Sequence, residues 1–276
     1  MTNGLPELTD RQALMRNRDR AAKNGDHAMF LHQIAIDEIK ERLLLVNKPF
    51  KKPAIVTGFP EFWGRAFPGF TVVQDTDRVE LDPNVHDLVI HAMSLHWAND
   101  PVGQIVQCRH ALVQDGLFLG CLFGGQTLNE LRTSLAEAEA AICGGMSPHV
   151  VPMAEIRDLG GLLQRAGLAL PVADAVTQTV TYSGLKNLLS DLRAMGEGNS
   201  LKLRASRPLP RAVYTLAERI YQSNFSAADA TLTATFEMIF LSGWAPHPDQ
   251  PKPLRPGSAS HSLAQTLEQL KSGTNN

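Results

Sequence analysis

AIVTGFPEFWGRAFPGFTVVQD, residues 54–75, is the stretch that decides the fold. Ala54-Ile55-Val56 is a short apolar run behind the breaker Lys51-Lys52-Pro53, which is the pattern of a buried strand. The stretch from Gly58 to Gly64 reads as a loop. Phe70-Thr71-Val72-Val73 reads as a second strand, ending on Gln74 and Asp75. Further apolar strands are expected over 87–93 (DLVIHAM) and 117–123 (LFLGCLF). Between those two, Asp100 has the place of an N-cap and Pro101 that of a first helical residue. Strands alternating with helices predict an α/β fold with a mostly parallel, doubly wound sheet. Ligands of such sheets bind beyond the carboxyl ends of the strands, which selects the loops after Val56, Val73, Met93 and Phe123.

Outward from that centre, residues 10–24 are polar, basic and helical in pattern. A second helix runs from a cap at Asp26 to about Val46, with Phe30, Ile34, Ile39, Leu43 and Leu44 as its apolar stripe. The cluster Arg11, Arg16, Arg18, Arg20 and Lys23 reads first as a solvated helix face, and second as a docking surface for an acidic partner. On the other side, Thr127 and Glu130 have capping-box spacing for a helix reaching Ile142. Residues 154–166 form a helix closed by Gly167, and 172–182 a strand. Helices over 184–195, capped by Ser183, and over 210–222 precede a last strand over 231–242. The expected organisation is an N-terminal helical segment (1–50), an α/β domain (51–245) with a helical excursion near 183–230, and a proline-rich tail (246–276).

Composition removes several function classes. A formal net charge of −2 gives no global attraction to nucleic acid. Three cysteines, Cys108, Cys121 and Cys143, are too few and too scattered for a disulfide framework, and none forms a CxxC pair. His27 and His32 lack metal-ligand spacing with carboxylates, so no metal is expected. No P-loop, G-x-S-x-G or G-x-G-x-x-G occurs. No apolar run approaches a membrane span, and MTNGLPELTDRQ has no apolar core of a secretory signal, so a cytoplasmic protein is expected.

Several segments in order carry a family resemblance. They are Ser94-Leu-His-Trp-Ala-Asn-Asp100, Phe123-Gly-Gly-Gln-Thr-Leu-Asn-Glu-Leu-Arg132, Gly144-Gly-Met-Ser-Pro-His149, Asp158-Leu-Gly-Gly-Leu-Leu-Gln-Arg-Ala-Gly167 and Asp191-Leu-Arg-Ala-Met-Gly-Glu-Gly-Asn199, then Gly243-Trp244 and Gly257-Ser258-Ala259. With them the chain resembles the class I S-adenosylmethionine (SAM) methyltransferases over roughly residues 10–262. Within that superfamily it looks most like the group of the mitochondrial complex I assembly factor that hydroxylates an arginine, and it is also similar to the biotin-pathway malonyl-carrier methyltransferase. The resemblance implies a Rossmann-like sheet, SAM as cofactor, and a protein substrate or partner such as a respiratory complex I subunit.

Two departures from the family stand out. Of its D-x-G-x-G-x-G loop only Gly58 remains; Thr57 stands at the acidic position, Pro60 removes a backbone donor, and Phe59, Phe62 and Trp63 add bulk. About a dozen residues separate Asp75 from the strand near Asp87, too few for the helix and strand the family places there, so one edge strand is expected to be missing.

By the resemblance, Gly58, Asp75, Ser94 and Leu95 would hold the cofactor, with Asp75 on the ribose hydroxyls. His96, which can titrate near neutrality, would be the catalytic acid or base. Trp97, Gln126, Arg132 and His149 would face substrate or partner. The alternative for His96 and Trp97 is that they pack the loop under the next helix. For the whole chain the alternative is a cofactor-free pseudo-methyltransferase that acts as a binding or assembly factor.

Overall fold

The computed structural model describes residues 7–250. Residues 251–276, which hold most of the proline-rich tail and Gly257-Ser258-Ala259, lie outside the described residues. Two helices come first. α1 (Arg11–Lys23) is capped by Asp10, whose carboxylate accepts the Ala13 N–H, and α2 (Phe30–Val46) follows a single 3-10 turn, Asp26–Ala28. Asp26 therefore opens that turn and does not cap α2. Then come β1 (Pro53–Thr57), α3 (Pro60–Ala66), β2 (Thr71–Gln74), β3 (His86–Ala92), α4 (Pro101–Ala111), β4 (Leu112–Phe123), α5 (Asn129–Cys143), α6 (Ile156–Arg165), β5 (Ala169–Tyr182), α7 (Leu185–Ala194), α8 (Arg211–Phe225) and β6 (Leu232–Trp244).

The six strands form one sheet in the order β2-β1-β3-β4-β6-β5. β1 runs parallel to β2 and β3, β3 runs parallel to β4, and β6 is antiparallel to both β4 and β5. The fold is thus α/β and class I methyltransferase-like. No helix or strand lies between β2 and β3, and β2 is the outermost strand, so the sheet ends one strand short at this edge as expected. α7 and α8 make the helical excursion before β6.

Alternate residues of the central strands feed two cores, because successive side chains of a strand point to opposite faces. Ile55, Leu88, Ile90 and Leu119 join α2, α5, α7 and α8 on one face. Ala54, Val56, Val89 and Phe118 join α4 and α6 on the other. β1 is buried at all five positions, as a parallel strand covered on both faces should be.

Two local expectations are corrected. The stretch from Gly58 to Gly64 is not a loop throughout: Pro60 starts α3, where a missing N–H costs nothing. Trp63 is fully buried and its indole N–H donates to His32 Nδ1 at 3.1 Å. Thr127 and Glu130 form no capping box. The residue before α5 is Leu128, at φ 54°, with no side-chain cap. Glu130 instead accepts from the Thr235 N–H and hydroxyl, and the Thr127 hydroxyl donates to the Glu237 carbonyl, so both residues bind β6. Asp100 does cap α4, accepting the Gly103 N–H at 2.8 Å. Among the described residues no helix is long and apolar enough to cross a membrane.

Candidate functional site

Gly58 and Asp75 follow β1 and β2 at their carboxyl ends, side by side, because the parallel ladder continues through the Asp75 N–H to the Thr57 carbonyl at 3.1 Å. α1 lies against both. The Arg18 guanidinium donates from Nη1 to Asp75 Oδ1 at 2.6 Å, and Arg11, two helical turns earlier, reaches Asp75 Oδ2 at 3.5 Å and also bonds its carbonyl. The side chains of Asp75 and Arg18 are 1% and 5% exposed, so this is a buried ion pair. A Cβ on Gly58 would collide with the same guanidinium, so the bare backbone there makes room for Arg18. The basic cluster of α1 is therefore not wholly a solvated face: Arg11 and Arg18 turn inward, because Asp75 supplies the charge that makes their burial tolerable. By the resemblance a SAM ribose would take the Asp75 carboxylate and the space over Gly58. Arg18 holds both, so these residues as arranged do not fit that cofactor.

The other cofactor candidates are equally enclosed. Ser94 places its hydroxyl 3.4 Å from His91 Nδ1, and His91 Nε2 lies 2.6 Å from Gln104 Oε1, whose amide donates to the Thr76 carbonyl. Burial pushes the His91 pKa down, which favours the neutral ring. Leu95 packs in the core with Val56 and Val89.

His96 and Trp97 occupy a 3-10 turn, Leu95–Trp97, after β3. Their ring nitrogens converge on one oxygen, Glu197 Oε2: Trp97 Nε1 donates at 2.7 Å, and His96 Nε2 lies at 3.2 Å. Since a carboxylate can only accept, His96 carries a proton on Nε2, and in the neutral ring Nδ1 keeps the lone pair. That Nδ1 is buried with no partner. Burial pushes the Glu197 pKa up, but the charge and hydrogen bond of His96, with Arg18 and Trp97, outweigh it and hold the carboxyl below its usual value. Trp97 and Glu197 line an apolar cleft of about 200 Å³ with Phe123, Leu131, Val150 and Leu192. His96 stands behind Glu197 and is not part of the lining.

The remaining partner candidates scatter. His149 lines the same cleft and has Nε2 3.1 Å from Glu139 Oε2. Burial raises the Glu139 pKa, but bonds from Ser147 and His149 outweigh it and leave it lowered. Gln126 is exposed, and its N–H donates to Glu237 Oε2 at 3.0 Å. Arg132 binds the carbonyls of Gly125 and Thr127, bracing the loop before α5. The Gly124-Gly125 pair does not leave open room above the sheet. A Cβ on Gly124 would meet the Glu237 carboxylate and Ile239, and one on Gly125 the Glu155 carboxylate.

Sequence reasoning did not single out Glu197, took Arg18 only as one of a basic cluster, and took His32 only as a residue without metal-ligand spacing. Glu197 lay within the quoted Gly196-Glu197-Gly198-Asn199 stretch, a carboxylate between glycines, which is a signal of a sharply positioned acid. Arg18 shares a face with Arg11 at seven-residue spacing, which would have found it. His32 offered no signal. Burial depresses its pKa to about 4.

No protein-family model matches the chain. A Danio rerio protein named mitochondrial arginine-hydroxylase NDUFAF5 is 38% identical over 197 residues, 71% of this chain and 61% of the relative. The Homo sapiens protein of that name is 37% identical over 198 residues, 72% and 57% of the two chains. The malonyl-[acyl-carrier protein] O-methyltransferase of Gallionella capsiferriformans is 28% identical over 190 residues, 68% and 63%. The chain thus spans less than two thirds of the length of these relatives. Among solved structures, the YcgJ protein of Bacillus subtilis matches with a TM-score of 0.48 at 9% identity, over 81% of this chain and 100% of that one. The expectation of a cytoplasmic protein is corrected by the NDUFAF5 relatives, which are named as mitochondrial. The lack of a secretory apolar core does not decide localisation, because mitochondrial transit segments in general are amphipathic and have no such core. With its α/β sheet, the chain is similar in sequence to the NDUFAF5 arginine-hydroxylases and, at lower identity, to the malonyl-carrier O-methyltransferases.

Proposed function

We propose that this chain serves respiratory complex I assembly as a cofactor-independent binding factor, holding a protein client in the cleft between Trp97, Glu197 and His149. The observation that carries this reading is Arg18, whose guanidinium takes the Asp75 carboxylate and the face of Gly58. The helix α1 then acts as a built-in cover over Asp75 and Gly58, and the α/β domain 51–245 presents the client cleft. The cleft suits a side chain with an apolar body, since leucine, valine and phenylalanine make up most of its wall. The NDUFAF5 relatives support the assembly context.

A second reading keeps SAM-dependent chemistry, either methyl transfer or arginine hydroxylation, on a protein substrate. It is supported by His96 and Glu197, a titratable pair beside the cleft. In that reading His96 acts on the cleft only through Glu197, as a positioning residue.

Calorimetric titration of the full chain with SAM and with S-adenosylhomocysteine separates the two. The proposed function expects no heat of binding, whereas micromolar binding would sink it in favour of the second reading. The client half is tested by Val150→Trp, which narrows the cleft: cells lacking the protein and supplied with this variant are expected to accumulate unassembled complex I.

A further inference from the structure

The strongest feature outside the client cleft is the polar cluster under α1. Arg18 makes one bond to Asp75 through Nη1, while its Nε and Nη2 are buried without a partner. A guanidinium placed only to stabilise the fold would use its planar fork on the carboxylate, because two parallel bonds are stronger than one. Here the guanidinium lies across Gly58, with its centre 5.9 Å from the Phe59 ring centre. The helix that delivers it is fastened within the turn before Arg18, through Leu14 and Asn17. Leu14 packs with Trp97, Val151 and Leu201. Asn17 Nδ2 donates to the Gly198 carbonyl at 3.1 Å and to Ser200 Oγ at 3.0 Å. Beside Gly58 and Phe59, a cavity of about 470 Å³ opens between α1 and the start of α3, with Arg18, Met29, Phe62 and Gln74 in its wall.

We infer that Arg18 is a built-in competitor for a nucleoside ligand: its guanidinium and a ribose exclude one another on Asp75 and Gly58. The inference rests on the cofactor-independent reading and goes a step further, since it assigns the loss of the ligand to one side chain. The carboxylate that would accept the hydroxyls of a ribose is retained, as is the glycine that lets the ligand approach the backbone. The adjoining cavity supplies volume on the far side of the guanidinium. Removal of the guanidinium leaves Asp75 with Arg11 as its counter-charge, so the acid is not left alone. A ligand that must displace an internal group binds more weakly by the population of the displaced state, and deleting the group returns that affinity.

The test is calorimetry with S-adenosylhomocysteine on the full chain, native and Arg18→Ala. The native protein is expected to give no heat, and the variant to bind at least about tenfold more tightly than the weakest affinity the titration detects. The gain should vanish when Asp75→Asn is added. Equal affinity in native and variant protein, or no heat with either, overturns the inference, as does a gain that survives Asp75→Asn. Should Arg18→Ala fail to fold, Arg18→Gln, which keeps a donor for Asp75 and drops the charge, is read by the same criteria. Tight SAM binding by the native chain would sink the proposed function; a variant that gains nothing would sink only the role of Arg18.

Discussion

Two loops at the same end of the sheet have met opposite fates. The loop after β1 is occupied by charge: Asp75, Arg18 and Arg11 meet under α1, and the Arg18 guanidinium lies across Gly58, with a cavity of about 470 Å³ beside it. The loop after β3 is lined mostly by carbon and remains a cleft, with Glu197 tied down at its floor by Trp97 and His96. The difference follows from what each costs to leave open. A buried carboxylate without a ligand must find a counter-charge, and the chain supplies one. An apolar wall needs no partner group, so it can wait for a client side chain.

The largest expected effect breaks the charged side. Asp75→Ala leaves Arg18 buried with no carboxylate, and should cost about 3–5 kcal/mol in urea denaturation. A loss under about 1 kcal/mol would mean that charge is not what closes this loop. Next, Gly58→Ala drives a methyl into the guanidinium and should destabilise by about 1–3 kcal/mol. In an Arg18→Ala background the same change should be far milder, so the double-mutant cycle measures the contact itself. On the open side, Glu197→Gln keeps the shape but weakens the hold on Trp97 and His96. It should cost about 1–3 kcal/mol and shift tryptophan fluorescence.

His32 gives a pH signature on the closed side. Its pKa is depressed from 6.5 to about 4 by burial, so between those values the unfolded chain binds a proton that the folded chain refuses. Its contribution is whole above pH 6.5 and is lost as pH falls toward 4, at up to about 1.4 kcal/mol per pH unit. His32→Asn, which keeps an acceptor for Trp63, should flatten the slope of urea midpoint against pH; an unchanged slope would remove His32 from the account. The smallest effect belongs to Gln126→Ala, which loses only an exposed 3.4 Å bond from Asn129 Nδ2 and keeps its main-chain bond to Glu237, and should change stability by less than about 0.5 kcal/mol.

Much of the site was legible as position and little as partnership. The strand ends that carry Gly58, Asp75, Ser94 and Trp97 follow from apolar runs and their stop residues. That Asp75 would be paired to Arg18 is a contact between residues 57 positions apart. Likewise His96 and Glu197, 101 positions apart, meet only because the segment after α7 folds back over the turn after β3. The Thr127 and Glu130 spacing had a local meaning that the tertiary structure replaced, because β6 offered both residues nearer partners than the helix end.

By itself the sequence determined the alternation of strands and helices, the short sheet edge and the chemistry available at the strand ends. Local patterning carries these, since apolar period, turn residues and segment length act within a few neighbours. Only the tertiary structure decided which of the two loops is filled by charge and which lines an apolar cleft. A charged helix face such as that of α1 has no fixed meaning until the rest of the chain either gives it a buried counter-charge or leaves it in water.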